Sequence, residues 1–391
     1  MSEIGMRATL FVLLLVVVTH QGLQAQPDRK TLDRIYILDP ATKKEEDVYG
    51  KIEQESPVGL KVKVRKGKED QLVSIPSSQI LRVYYYTPDV LVTDYNRGFI
   101  NEANWERATD KKKRAEFFAK ALDGFRDTER QLNVRPEAKR YLQYRIAMLL
   151  VNASKEDASK REEAIKALQE FTSGNRTSFT IVNALITQAQ LLEEANRLDE
   201  ARESYEALSR LPEVPPAVTR QGELLVGKMY LRLGKYAEAQ KRFSALAGKL
   251  NPGDADKPFV DVYLTESLIG QGKIDGAEKS LLSALQVSED PRLRALAHNL
   301  LGEWHLKQGK QEEAFWHFLR VDALYHEDAE EHSRALFHLA TLFDKVKKDP
   351  NRANEAKRRL FSEAYKATRY QKIASESGMV PPEEPSESKG S

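Results

Sequence analysis

Residues 224–250 read LLVGKMYLRLGKYAEAQKRFSALAGKL, and two amphipathic helices account for the pattern. Apolar residues recur at three- and four-residue intervals on either side of Leu233-Gly234-Lys235, where glycine suits the left-handed end of a helix. Gly227 and Ala239 leave room for two helix backbones to approach, and Tyr230, Tyr236 and Phe243 fill the space around them. The same turn recurs at Asn196-Arg197, Gly272-Lys273 and Gly309-Lys310, at spacings of 38, 38 and 37 residues. Five residues beyond each turn's first residue stands a small one: Ala201, Ala239, Ala277, Ala314. Four further on stands a large one: Tyr205, Phe243, Leu281, Phe318. Seven residues before the turn come Ala189, Gly227, Thr265 and Gly302. Four copies in one register specify an array rather than an ordinary bundle, because a bundle needs no fixed period.

The order Gly227, Tyr230, Gly234, Tyr236, Ala239, Phe243 resembles the tetratricopeptide repeat, a helix–turn–helix unit of about 34 residues that stacks into a solenoid. The surplus length falls in Leu211–Pro216, Asn251-Pro252-Gly253 and Glu289-Asp290-Pro291, where proline ends a helix. Thr265 is the poorest of the small residues and marks the least regular copy. A helical pattern runs from Asp94 to Leu132, and Ala164 and Leu168 extend the small–large spacing over Glu137–Ala153 and Arg161–Phe171. Ser333–Lys345 and Asn354–Ala367 form a last pair with a lengthened connection. The resemblance covers residues 95–368, strongest at 182–324, and implies a mainly α solenoid of six or seven helix pairs.

The grammar before the array is different. Arg34–Leu38, Val48–Ile52, Gly59–Val64, Leu72–Pro76 and Gln79–Tyr86 read as short strands, with a two-residue period clearest in Gly59–Val64. Five such strands within residues 30–87 predict a small SH3-like β module with a hairpin tip at Lys66–Asp70. Lys61, Lys63, Arg65, Lys66 and Lys68 read as the solvent face of one antiparallel strand, and lysine there discourages edge-to-edge pairing.

Balanced signs, with a net charge of +2 over 391 residues, give no reason to expect nucleic acid as partner. Arg7 precedes an apolar run, Ala8–Val18, and Ala25 is the best cleavage point after it. That arrangement predicts a signal peptide over 1–25 and export to a bacterial periplasm or cell envelope, with a retained membrane anchor as the alternative. The absence of cysteine excludes disulfides and lipid attachment at a cysteine. Residues 375–391, with Pro381-Pro382-Glu383-Glu384-Pro385, have the composition of a disordered tail.

Chemistry is sparse. Six of seven histidines fall between His298 and His338, and His298 and His305 share a helix face. A metal would need a third ligand from His317, His332 or His338. The register puts His305 where pair 224–250 has Tyr230, so packing inside the helix pair is expected, with no metal and no cofactor. Nucleophile-elbow and phosphate-loop motifs are absent.

In the resembled family the first helix of each pair lines a concave groove that holds a partner segment. Carried onto this register, that implies a groove of Asn183, Gln190, Glu194, Gln221, Lys228, Arg232, Glu266, Asn299, Glu303, Lys307, Arg334 and Thr341. The Lys and Asn clamp of the chaperone-tail-binding branch is not expected, since one of its positions holds Ile186, Leu224 and Val262. Lys228 and Arg232, four apart on one helix face, are expected to line the groove together beside Glu266 as a receptor for a segment of mixed charge, with ordinary solvated surface as the alternative. The implied function is a non-enzymatic scaffold for a protein or peptide. The alternative is an envelope enzyme or glycan-binding protein that uses the solenoid as a platform.

Overall fold

A computed structural model describes residues 31–382 apart from 68, 134 and 367, so the expected signal peptide and the last part of the expected tail lie outside the described residues. The chain divides into two compact units, one reaching Gln54 and resuming over Gly59–Pro88, the other holding Glu55–Val58 and everything from Asp89.

The first unit is a five-stranded antiparallel sheet of β1 (Asp33–Leu38), β2 (Glu45–Ser56), β3 (Gly59–Lys66), β4 (Glu69–Pro76) and β5 (Ile80–Tyr84), in the order β4-β3-β2-β1-β5. A 3₁₀ turn at Ser77–Gln79 sends β5 back to pair with β1. The two-residue period does what it predicts: Leu60 and Val62 are buried while Lys61, Lys63 and Arg65 are exposed. Lys63 pairs with Asp70 across the hairpin at 3.0 Å. Buried Asp33 accepts from the amides of Ile52 at 3.0 Å and Tyr86 at 2.8 Å, which ties the start of β1 to both neighbouring chain segments.

The second unit holds seven helix pairs among the described residues. They are α1 (Asp89–Arg107) with α2 (Lys111–Gln131), α3 (Pro136–Ser154) with α4 (Arg161–Gly174), and α5 (Ile181–Glu194) with α6 (Leu198–Ser209). Next come α7 (Pro216–Arg232) with α8 (Tyr236–Ala247), and α9 (Lys257–Gly270) with α10 (Ala277–Val287). The last are α11 (Pro291–Lys307) with α12 (Gln311–Leu324), and α13 (Ala329–Lys347) with α14 (Pro350–Leu360). A further helix, α15 (Arg369–Glu376), packs on α13. The array therefore starts six residues before the expected 95. The expected tail start at Ser375 is also corrected, because α15 runs through Glu376. No described helix is long and apolar enough to cross a membrane.

The register is physical. Ala201, Ala239, Ala277 and Ala314 are buried, as are Tyr205, Phe243, Leu281 and Phe318. A Cβ on Gly227 would stand 2.5 Å from the Phe243 ring, and one on Gly302 would stand 2.6 Å from the Phe318 ring. These glycines let a phenylalanine from the second helix lie against the first helix's backbone. At the turns Asn196, Gly234, Gly272 and Gly309 all adopt left-handed φ of 58° to 77°. The residue after each returns its amide to a carbonyl five back, as Lys235 does to Tyr230 at 2.9 Å. The connections between pairs restart at helix-initial proline in α3, α7 and α11, and the connection inside pair seven does so in α14.

Candidate functional site: the first-helix face

The first helices of pairs four to seven, α7, α9, α11 and α13, contact one another in succession, and five of the twelve expected groove residues gather there. The centre is Arg334 on α13, which is 5% exposed. Its Nε and Nη2 donate to the two oxygens of Glu303 on α11, both at 2.7 Å. Its Nη1 lies 3.2 Å from Glu266 on α9 and 3.6 Å from Glu331 on its own helix. Fully buried Asn299 donates from Nδ2 to the Glu331 backbone carbonyl and to its carboxylate, both at 2.8 Å. The Tyr370 hydroxyl of α15 donates to Glu303 at 3.1 Å, and His338 lies 3.4 Å from the same oxygen. Lys228 on α7 sits with its ammonium 5.5 Å from the Tyr263 ring centre.

Three carboxylates around one guanidinium do not share it equally. Burial works to raise the Glu303 carboxyl, but Arg334 and His338 hold it well below the usual carboxylate range. Glu266 is raised by burial in spite of Arg334. Burial, with Glu266 adding to it, pushes Glu331 up to about 7 against the pull of Arg334. The face thus holds one fully paired carboxylate and two under-compensated ones. Convergent carboxylates are what a hydrolytic enzyme needs, yet the bidentate grip of Arg334 leaves Glu303 committed as an ion-pair partner.

The other expected residues are spread out. Asn183, Gln190, Glu194, Gln221, Lys307 and Thr341 are exposed. The expected pairing of Arg232 with Lys228 beside Glu266 is corrected: Arg232 is only partly exposed and turns back to Glu193 on α5, which also accepts from Tyr205 at 2.6 Å. Glu193 lies one pair earlier and nothing local announces it. Sequence reasoning also passes over Glu331, Tyr263 and Tyr370, and weighs His338 only as a metal ligand. Glu331 reads as an ordinary acidic first-turn residue after the Asp328 cap. Tyr370 falls beyond the expected end of the array.

Elsewhere the polar clusters are closed. His298 and His317 bring Nδ1 atoms to 3.1 Å, and His305 stacks on His317 with ring centres 5.2 Å apart. Desolvation lowers His298 to about 4 and His317 to about 3. The third histidine does converge, but no group of three histidine, cysteine or acidic residues among the described residues has metal-holding geometry. His332, 2% exposed, sits 2.7 Å from both Asp322 and the Tyr365 hydroxyl, and Arg359 closes on Asp322 at 2.8 Å. That chain resembles a catalytic relay on paper but is sealed from substrate, so it latches α12, α13 and α14 together. A cleft of about 290 Å³ among α4, α5 and α6 contains no expected groove residue. Its Thr172–Gln188–Ser204 chain is satisfied internally at 2.7 and 2.9 Å.

No family model matches the chain, and no curated protein does. Solved structures do. A tetratricopeptide repeat protein from Parabacteroides merdae is 15% identical, with 73% of this chain and 97% of that one covered and a TM-score of 0.52. The apo form of the quorum sensor NprR from B. thuringiensis is 17% identical over 69% of this chain and 75% of its own, with a TM-score of 0.43. The C-terminal part of a TPR repeat-containing protein from Cytophaga hutchinsonii is 13% identical over 70% and 98%, with a TM-score of 0.38. At such identities the likeness is one of fold, and the first of them shows it: the helical unit is a tetratricopeptide-repeat array.

Proposed function

We propose that this chain is a non-enzymatic scaffold that holds a segment of a partner protein against the first-helix face of pairs four to seven, in a bacterial periplasm or cell envelope. The observation that carries the reading is the convergence of Lys228, Glu266, Asn299, Glu303 and Arg334 from four successive first helices. A stack of packed helices gains stability from apolar contact between pairs, not from charges aligned across them. Polar groups assembled at that cost on one face are what recognition of a polar segment requires. The export half of the proposal rests on the Arg7, Ala8–Val18 and Ala25 arrangement alone.

A photo-crosslinking residue placed at Lys307 or Thr341, both exposed on first helices, tests the face. Introduced into the full chain in its own host, it should trap the same partner from both positions. The same residue at Trp316, exposed on the second helix α12, should trap none. Trapping from Trp316 alone would overturn the reading. For export, the mature N-terminus should be Gln26 and the protein should appear in an osmotic-shock fraction; an intact Met1 in the cytosol would contradict that half.

A further inference from the structure

We infer that the face contains a subsite, formed by Glu266, Asn299 and Glu331, for a cationic side chain of the bound segment, a lysine ammonium or an arginine guanidinium. The inference rests on the proposed function and names the chemistry at one point of it.

Acceptors outnumber donors at this point of the face. Arg334 directs its Nε and Nη2 at Glu303 and leaves Nη1 to be shared between Glu266 at 3.2 Å and Glu331 at 3.6 Å. Asn299 has spent its Nδ2 twice on Glu331. Acceptors remain. Asn299 Oδ1 is fully buried and has no hydrogen-bond partner, which ordinarily costs the desolvation of that oxygen. Exchanging the two ends of the amide does not help, since an oxygen would then face the Glu331 carboxylate. Glu266 and Glu331 each engage one oxygen and keep side-chain exposures of 15% and 17%, so neither carboxylate is sealed off.

Charge points the same way. Glu266, Glu303 and Glu331 stand against Arg334 and Lys228, leaving one negative charge in excess when all are ionised. The flanking Asp328 and Arg369 offset each other in sign. An incoming cation supplies donors to the Glu266 and Glu331 carboxylates and the missing charge to both at once, while Asn299 holds Glu331 in place from behind. A metal ion is disfavoured, because no metal-holding group of three occurs among the described residues. The raised Glu331 carboxyl fits this picture: without a cation a proton partly takes its place.

The test is calorimetry on the full chain with an acetylated, amidated Gly-Lys-Gly-Lys-Gly peptide and its glutamate counterpart, in buffers of different ionisation enthalpy. The lysine peptide should bind and the glutamate peptide should not. At pH 7 binding should release about half a proton as Glu331 gives way to the cation, and the release should vanish at pH 9. Glu331→Gln, nearly isosteric, should abolish the release and weaken binding about tenfold, and Glu266→Gln should weaken binding while some release remains. No binding of the lysine peptide, or binding to Glu331→Gln unchanged and with the release intact, would overturn the subsite. If Lys307 and Thr341 still trap a partner in that case, the face stands as the binding surface and only its cation specificity falls.

Discussion

Pairs four and five are neighbours with the same register and different fillings. In pair four Gly227 meets Phe243, and α8 begins two residues after the left-handed Gly234. In pair five Thr265 and Leu281 hold the corresponding positions and are both buried, and α10 begins five residues after Gly272, through a second left-handed glycine, Gly276. The larger residue on the first helix is matched by a smaller one on the second. The extra hydroxyl is satisfied too, for Thr265 Oγ1 lies 2.9 Å from both the Asp261 carbonyl and Ser280 Oγ. The difference teaches that the array conserves filled volume where helices touch and lets the connections absorb irregularity, as close-packed interiors demand.

The comparison breaks most sharply at Gly227. Gly227→Leu drives a side chain into the Phe243 ring and should destabilise by about 1–3 kcal/mol. Because each pair packs on the next, the loss should extend to α9 and α10 in hydrogen exchange. An unchanged melting curve would mean that Gly227 and Phe243 do not meet. Converting pair four toward pair five sharpens the point: Gly227→Thr and Phe243→Leu should each destabilise, and the double variant should recover part of the sum through coupling of contacting residues. Strict additivity in denaturant melts would refute volume compensation.

Pair six carries the next effect. It keeps the Gly302–Phe318 contact of pair four but sets His298, His305 and His317 beside it. His298 and His317 have folded pKa values depressed to about 4 and about 3, below the ordinary histidine value. The unfolded chain therefore binds more protons in acid, and the stability these residues contribute above about pH 6.5 is lost as pH falls toward 4. The melting temperature should drop over that window, and His317→Phe should flatten the profile. A profile that steepens in that variant would contradict the assignment. The smallest effect belongs to the hydroxyls of pair five. Thr265→Ala should cost about 1 kcal/mol by stranding Ser280, and Thr265→Ala with Ser280→Ala should come back close to wild type.

What the sequence made legible, and what it hid, follows from the range of the interactions. The small–large register is local, so Ala201, Gly227, Phe243 and Gly302 announce themselves within one repeat. The strand Gly59–Val64 does the same through its alternation. Arg334 joins Glu266, Glu303 and Tyr370, partners that lie 68, 31 and 36 positions away on other elements, and no spacing rule encodes such a meeting. Arg232 misled because helix geometry shows which face a residue occupies but not which carboxylate its long side chain finds. Asn299 and Glu303 were legible as groove positions, while the unpartnered Asn299 oxygen required coordinates.

Hydrogen exchange on the full chain, alone and with the partner trapped through Lys307, tests the central claim most directly. The account predicts slower exchange in peptides from α9, α11 and α13 on binding, with α8, α10 and α12 unchanged. Protection confined to the second helices, or to the β strands of the first unit, would contradict it.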